Sequence, residues 1–150
     1  MMQIAVIGPA DCTPEEWRAA RETGRLIAQK GAVLVSGGLG GVMEASCQGA
    51  KESGGRTVGI LPGTSGGNQF LDISIRTGLG HARNFLVVQS GDSVIAIGGD
   101  GRSFGTLSEI GIAIKTGKKV FGWCTWDIPG VTACESPEAA VLSAVRESRP

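Results

Sequence analysis

Short apolar runs alternate along this chain with longer stretches whose apolar residues recur every three or four positions. The first run is Ile4-Ala5-Val6-Ile7, closed by Gly8. An unbroken apolar run of that length describes a strand covered on both faces. Thr13-Pro14-Glu15-Glu16 follows. It supplies a capping threonine, a proline suited to the first helical position, and a glutamate that completes a capping box. Trp17, Ala20, Gly24, Ile27 and Ala28 then share one helical stripe, which Gly31 ends. The unit repeats. Residues 32–36 predict a second strand, a helix runs from near Val42 to Gly54-Gly55, and residues 56–61 predict a third strand. Gly41, Ala45 and Gly49 share one face of that second helix. Side chains so small predict that it lies very close to a sheet.

The second half follows the same rhythm. Residues 64–69 form a polar glycine loop, residues 72–77 a short edge strand, and residues 81–89 a helix. Residues 93–97 are a clear strand, and a helix starting near Thr106 turns Leu107, Ile110, Ala113 and Ile114 inward. Residues 119–123 predict another strand, and a last helix from Ser136-Pro137 buries Ala140, Val141, Ala144 and Val145. Strands alternating with helices require a mainly parallel sheet covered on both faces. Right-handed crossovers make it doubly wound. The expected class is α/β, a Rossmann-like domain spanning residues 1–150.

Composition narrows the function classes. Fourteen basic and fourteen acidic residues give zero formal charge, and aromatics are 5%, so no basic groove with stacking aromatics is expected and nucleic acid is not an expected partner. Cys12, Cys47, Cys124 and Cys134 form no C-x-x-C pair, and His81 is the single histidine, so no metal site is expected. The first residues run straight into an apolar strand, so no targeting signal is expected, and no apolar run approaches ~18 residues. A cytoplasmic protein without a membrane partner is the expectation.

The candidate chemistry lies in the 25 glycines, which gather where strands end. Ligands of open α/β sheets bind at the carboxyl ends of strands, where strand order reverses. Gly8 ends the first strand. Gly37, Gly38, Gly40 and Gly41 lie between a strand and a helix start, an arrangement that presents backbone N–H groups to an anion. Gly98, Gly99, Gly105 and Thr106 repeat the design. Neither cluster is a P-loop or a strict G-x-G-x-x-G, and no acidic residue marks a ribose at the next strand end. Tight turns and helix packing alone would also use such glycines. Thr106-Leu107-Ser108-Glu109 fits a capping box, so Glu109 has a structural use beside that of a carboxylate facing a ligand. Arg83 fits either a solvated helix charge or a phosphate ligand.

These residues also form a familiar pattern. Gly37-Gly38, Gly41-Val42-Met43-Glu44-Ala45, Gly49-Ala50 and Thr57-Val58-Gly59-Ile60-Leu61-Pro62 resemble the Lonely Guy (SLOG) superfamily, long mislabelled as lysine decarboxylase. Gly98-Gly99 with Gly105-Thr106-Leu107-Ser108-Glu109 resembles its P-G-G-x-G-T-x-x-E motif. The run Gly78-Leu79-Gly80-His81-Ala82-Arg83-Asn84 is most similar to the molybdenum-cofactor carrier branch, whose members are described as binding proteins. The resemblance implies a homo-oligomer, dimer or tetramer, and a phosphorylated nucleotide-like or molybdopterin-type ligand, with no cofactor required. In the hydrolase branch, which cleaves the N-glycosidic bond of nucleoside 5′-monophosphates, an arginine and the motif glutamate are catalytic. Those roles would fall on Arg83 and Glu109. Two departures stand out: Ile97 replaces the motif proline, and Asp100-Gly101-Arg102-Ser103-Phe104 intervenes before Gly105-Thr106. The inserted loop offers Arg102 to an anion. Lysine decarboxylation is not expected, because that chemistry needs an electron sink and Lys30, Lys51, Lys115, Lys118 and Lys119 all read as peripheral charges.

Overall fold

A computed structural model describes residues 1–150. The strands are β1 (Gln3–Ile7), β2 (Val33–Ser36), β3 (Arg56–Leu61), β4 (Ile73–Arg76), β5 (Ser93–Ile97), β6 (Val120–Trp123) and β7 (Val131–Ala133). The helices are α1 (Pro14–Gln29), α2 (Val42–Glu52), α3 (Arg83–Ser90), α4 (Phe104–Lys115) and α5 (Pro137–Glu147). One seven-stranded sheet has the order β4-β3-β2-β1-β5-β6-β7, and every pairing is parallel. This is the doubly wound Rossmann-like class. The chain builds outward from β1 to β4, then crosses back through α3 to place β5 on the other side of β1. Strand order therefore reverses between β1 and β5.

Alternation along the central strands sorts the core into two layers. Ile4, Val6, Leu34, Ile95 and Ile97 face α1, α2 and α5. Ala5, Ile7, Val35, Val94 and Ala96 face Val87 and Val88 of α3 and Ile110 and Ala113 of α4. β1 and β5 are buried on both faces, as their unbroken apolar sequence requires. The Thr13–Glu16 capping box forms at the start of α1 as the sequence predicts.

Three differences from the sequence pattern have physical causes. The small face of α2 meets a helix as well as the sheet. A Cβ on Gly49 would lie 1.8 Å from the Arg21 carbonyl oxygen, and one on Gly24 would lie 1.8 Å from that of Ser46. The glycines thus set the α1–α2 separation. α4 begins two residues before Thr106, because Ser103 caps it by accepting from the Thr106 N–H at 3.3 Å. The Thr106–Glu109 capping box does not form, and Glu109 lies a turn inside the helix. The short strand β7 has no counterpart in the predicted pattern; it extends the sheet beside β6.

Candidate anion-binding site

The two glycine loops lie at the carboxyl end of the sheet, on either side of the strand-order reversal. In the first, β2 runs through Gly37 to Gly41, which caps α2 with φ +62 and no side-chain acceptor. Its backbone packs on the Pro9 and Ala10 carbonyls, and the Val42 N–H donates to Pro9 at 3.0 Å. The N–H groups of Leu39, Gly40, Gly41, Met43 and Glu44 donate to no protein acceptor. Unpaired N–H groups beside a helix N-terminus are the chemistry that an oxyanion site uses. Asn68 braces the loop from outside: its N–H donates to the Gly38 carbonyl at 2.9 Å and its Nδ2 to that of Leu39 at 3.1 Å.

Arg83 reaches this loop from the start of α3. Its Nη2 lies 3.5 Å from the Gly37 carbonyl oxygen, and the side chain occupies the space a Cβ on Gly37 would need. Nη1 donates to Asn84 Oδ1. The Asn84 amide donates in turn to Ser108 Oγ at 3.1 Å, tying α3 to α4. Arg83 is 7% exposed, so it is no solvated helix charge, and its Nε donates to nothing in the protein. Glu109 comes from α4 and is also buried, with no ion pair or hydrogen bond to its carboxyl group. Burial pushes its pKa to about 8, against the pull of Arg83. Burial lowers the Arg83 pKa, opposed by Glu109. A guanidinium stays charged through such a shift. Below about pH 8 the buried pair is therefore a cation beside a neutral acid.

The second loop also holds N–H groups that donate to no protein acceptor, those of Asp100, Gly101, Phe104 and Gly105, but its two leading glycines are paired. The Gly98 N–H donates to the Trp123 carbonyl at 2.9 Å, and the Gly99 N–H to Glu16 Oε2 at 2.6 Å. Glu16 Oε1 accepts from the Thr13 N–H at 2.9 Å and from Arg102 at 2.5 Å. Arg102, offered by the inserted loop, is thus already paired with a carboxylate of the protein. Burial pushes the Glu16 pKa upward, but the hydrogen bonds from Thr13, Gly99 and Arg102 outweigh it and hold the group below its ordinary value. Gly105 and Thr106 lie in the first turn of α4 rather than in the loop. Thr106 is buried, with its hydroxyl 2.7 Å from Ser103 Oγ.

Gly8 has a packing reason of its own. A Cβ there would lie 2.5 Å from both the Ile97 carbonyl oxygen and Val42 Cγ1, so Gly8 lets α2 and β5 close on β1. Beside it, Pro9, Ala10, Asp11, Arg102 and Ser103 line a cavity of about 250 Å³. A larger cavity, about 680 Å³, lies at the opposite, amino end of the sheet. Two cations line it: Lys51, bound to Asp72 at 2.6 Å and to the Gly55 carbonyl, and Arg56, which is exposed and forms no ion pair. Asn84 and the link from Glu16 to Gly99 escape the sequence pattern. Asn84 closes the run from Gly78 that carries the resemblance, but nothing in that run points to its contact with Ser108; the capping box explains Glu16 locally and hides its distant contact.

A doubly wound α/β domain with a donor-lined glycine loop at the strand-order reversal defines a class of small-molecule binders. Within that class, the chain belongs to the SLOG cluster4 family, whose pattern matches residues 1–147. It is 49% identical to an uncharacterized protein of Archaeoglobus fulgidus, with 99% of this chain and 97% of the relative covered. It is also similar to the molybdenum cofactor binding protein of Rippkaea orientalis, with a TM-score of 0.88, 38% identity and coverage of 97% of this chain and 95% of the other. A third likeness is to the molybdenum cofactor carrier protein of Chlamydomonas reinhardtii, with a TM-score of 0.88, 33% identity and 98% of both chains covered. The Moco-carrier likeness in the sequence thus holds across the whole fold. No helix is long and apolar enough to cross a membrane.

Proposed function

We propose that this chain is a binding protein for a phosphorylated, nucleotide-like small molecule, and that a molybdopterin-type ligand is the candidate its relatives point to. One observation carries this reading: Arg83 is buried, Nε has no protein partner, and the side chain lies against a loop of unpaired N–H groups. A buried cation without a counter-charge is costly. A phosphate accepting from Arg83 and from the Gly37–Gly41 loop would offset that cost with charge-assisted hydrogen bonds. Protonated at neutral pH, Glu109 would donate to such a ligand rather than repel it.

The same protonation disfavours the phosphoribohydrolase alternative in the form the motif implies. Stabilising an oxocarbenium-like transition state calls for an ionised carboxylate. Burial of Glu109 opposes that charge. Assembly is the second part of the proposal. Leu79, Phe85 and Leu86 near the site, and Ile73 and Ile75 on the outer strand β4, expose large apolar side chains. Such a surface suits a homo-oligomer.

Calorimetric titration with adenosine 5′-monophosphate and with molybdenum cofactor should show saturable binding that requires Arg83. Native mass spectrometry of freshly purified protein should show more than one subunit with a retained small molecule. Absence of binding to either compound would sink the reading.

A further inference from the structure

We propose that β4 pairs antiparallel with β4 of a second copy of this chain, across a two-fold axis at Ser74, so that two sheets become one. This rests on the homo-oligomer part of the proposed function and names the surface that assembly uses. β4 is an outer strand, hydrogen-bonded to β3 on one side only. An outer strand presents a row of unpaired N–H and C=O groups, which is a template for another strand. Proline or a run of like charges commonly blocks such an edge. Residues 72–76 contain no proline, and their two charges are opposite in sign.

The sequence Asp72-Ile73-Ser74-Ile75-Arg76 is self-complementary. Turned about a two-fold axis at Ser74, it sets Asp72 opposite the second copy's Arg76, Ile73 opposite Ile75, and Ser74 opposite itself. Each unlike pair forms twice, as a closed isologous contact requires. The faces agree as well. Ile75 pairs in register with Ile60, which lies in the core layer under α3 and α4, and Ile73 shares that side. Alternation places Asp72, Ser74 and Arg76 on the other side. The isoleucines, 56% and 46% exposed, would cover one another on one face while the charges meet on the opposite face. Opposed apolar and opposite-charge pairs are what stabilise two antiparallel strands.

The charges are available. Arg76 is exposed and forms no ion pair. Asp72 accepts from Lys51 at 2.6 Å and from the Thr57 N–H at 2.9 Å. These contacts keep it ionised, and a carboxylate has about four acceptor positions, which leaves room for a guanidinium. Other registers lose the match. An axis at Ile73 sets Arg76 against Phe70, and one at Ile75 sets it against Ser74. Charge therefore selects the register as well as the partner.

The test is cysteine crosslinking in a Cys124→Ser parent, which removes the exposed native thiol. Opposed Cα atoms of an antiparallel pair lie about 4.5–5.5 Å apart, within the range a disulfide spans. Ser74→Cys should therefore give a covalent dimer with oxidised glutathione. Adding Arg76→Glu, which sets like charges opposite each other twice, should slow that crosslink at least tenfold. Arg76→Glu alone should weaken assembly at least tenfold in native mass spectrometry over a dilution series. Crosslinking at the same rate with and without Arg76→Glu overturns the proposal. So does an oligomer in which Ser74→Cys fails to crosslink, a result that leaves the homo-oligomer reading standing on another surface. A parent that is monomeric at every concentration refutes both.

Discussion

The two glycine loops start from the same design and differ in how the glycines and the nearby arginine are paired. Each follows a buried strand, each opens a helix, and each sits beside the strand-order reversal. The loop at Gly37–Gly41 keeps its N–H groups unpaired and has an underused cation, Arg83, at its back. In the second loop the Gly98 and Gly99 N–H groups are spent on the Trp123 carbonyl and Glu16 and the nearby cation, Arg102, is paired, while the N–H groups of Asp100, Gly101, Phe104 and Gly105 stay unpaired. Glycine content therefore does not measure binding capacity. What distinguishes the loops is whether another part of the chain brings a charged acceptor to the glycines. α1 brings one to the second loop, whereas the elements packed on the first, β1 and α3, bring a backbone turn and a guanidinium.

The largest expected effect comes from making one substitution in both loops. Gly98→Ala places a side chain at φ +71 and drives it into the Glu16 carboxylate. A left-handed non-glycine residue costs about 1–2 kcal/mol, and a lost hydrogen bond to a charged group about 1.5–3 kcal/mol. Chemical denaturation should show a loss of about 3 kcal/mol. Gly40→Ala has no left-handed φ to satisfy, and its nearest neighbour would lie 3.9 Å away. Its stability should stay within about 0.5 kcal/mol of the parent. Equal losses in the two variants would mean that the second loop is not held by Glu16.

Arg83→Met tests the open loop. The replacement keeps most of the volume and removes the charge. Two charge-assisted hydrogen bonds to a phosphate would be lost, of which about 3 kcal/mol, the lower end of their sum, sets the minimum effect. Affinity for adenosine 5′-monophosphate should fall at least about 100-fold by calorimetry. The melting temperature should hold or rise, since the variant also removes a buried charge without a counter-charge. A large drop in stability with unchanged affinity would make Arg83 a structural residue.

The two glutamates should give stability opposite dependences on pH. Glu109 has a folded pKa raised to about 8 from an ordinary 4.5. Between those values the folded chain holds a proton that the unfolded chain has released. Its contribution is complete below pH 4.5 and is lost as pH rises toward 8, with a slope of at most about 1.4 kcal/mol per pH unit. Glu16 has a lowered pKa, so its contribution is present above the ordinary carboxylate range and is lost as pH falls through its folded value. In denaturation curves measured across pH, Glu109→Gln should flatten the slope on the neutral side and Glu16→Gln should flatten the acid limb.

Local pattern carried the sequence reading as far as the interactions themselves are local. The strand–glycine–helix rhythm predicted β1 to β6 and both loops, because buried parallel strands and amphipathic helices leave their periods in the chain. β7 was illegible: three residues packed only on the edge strand β6 leave no period. α4 was placed too late because Thr106 and Glu109 imitate a capping box, and only the fold shows Ser103 winning the cap a turn earlier. Arg83 and Glu109 were nominated by motif, but their burial depends on α3 packing beside α4, which no local pattern encodes. Glu16 shows the limit most clearly. Its capping box is visible at once and satisfies every local question about it. The contact that makes it an acceptor for Gly99 appears only when β1 and β5 are known to be neighbours.

The smallest effect, and the finest test of the comparison, concerns Arg102. Its ion pair with Glu16 is half-exposed on the arginine side. Exposed pairs contribute about 0.2–1 kcal/mol, so Arg102→Ala should cost less than about 1 kcal/mol, and less still at high salt as screening grows. Glu16→Gln would also remove the charge on which Arg102 acts. If Arg102 serves only to hold the Glu16 carboxylate over Gly99, it should contribute nothing once that charge is gone. In a double-mutant cycle the Arg102→Ala cost should therefore vanish in the Glu16→Gln background. If the cost is the same in both backgrounds, Arg102 acts through some other contact, such as the one with the Asp11 carbonyl at 3.3 Å. The second loop's glycines would then be held by Glu16 without help from the insertion.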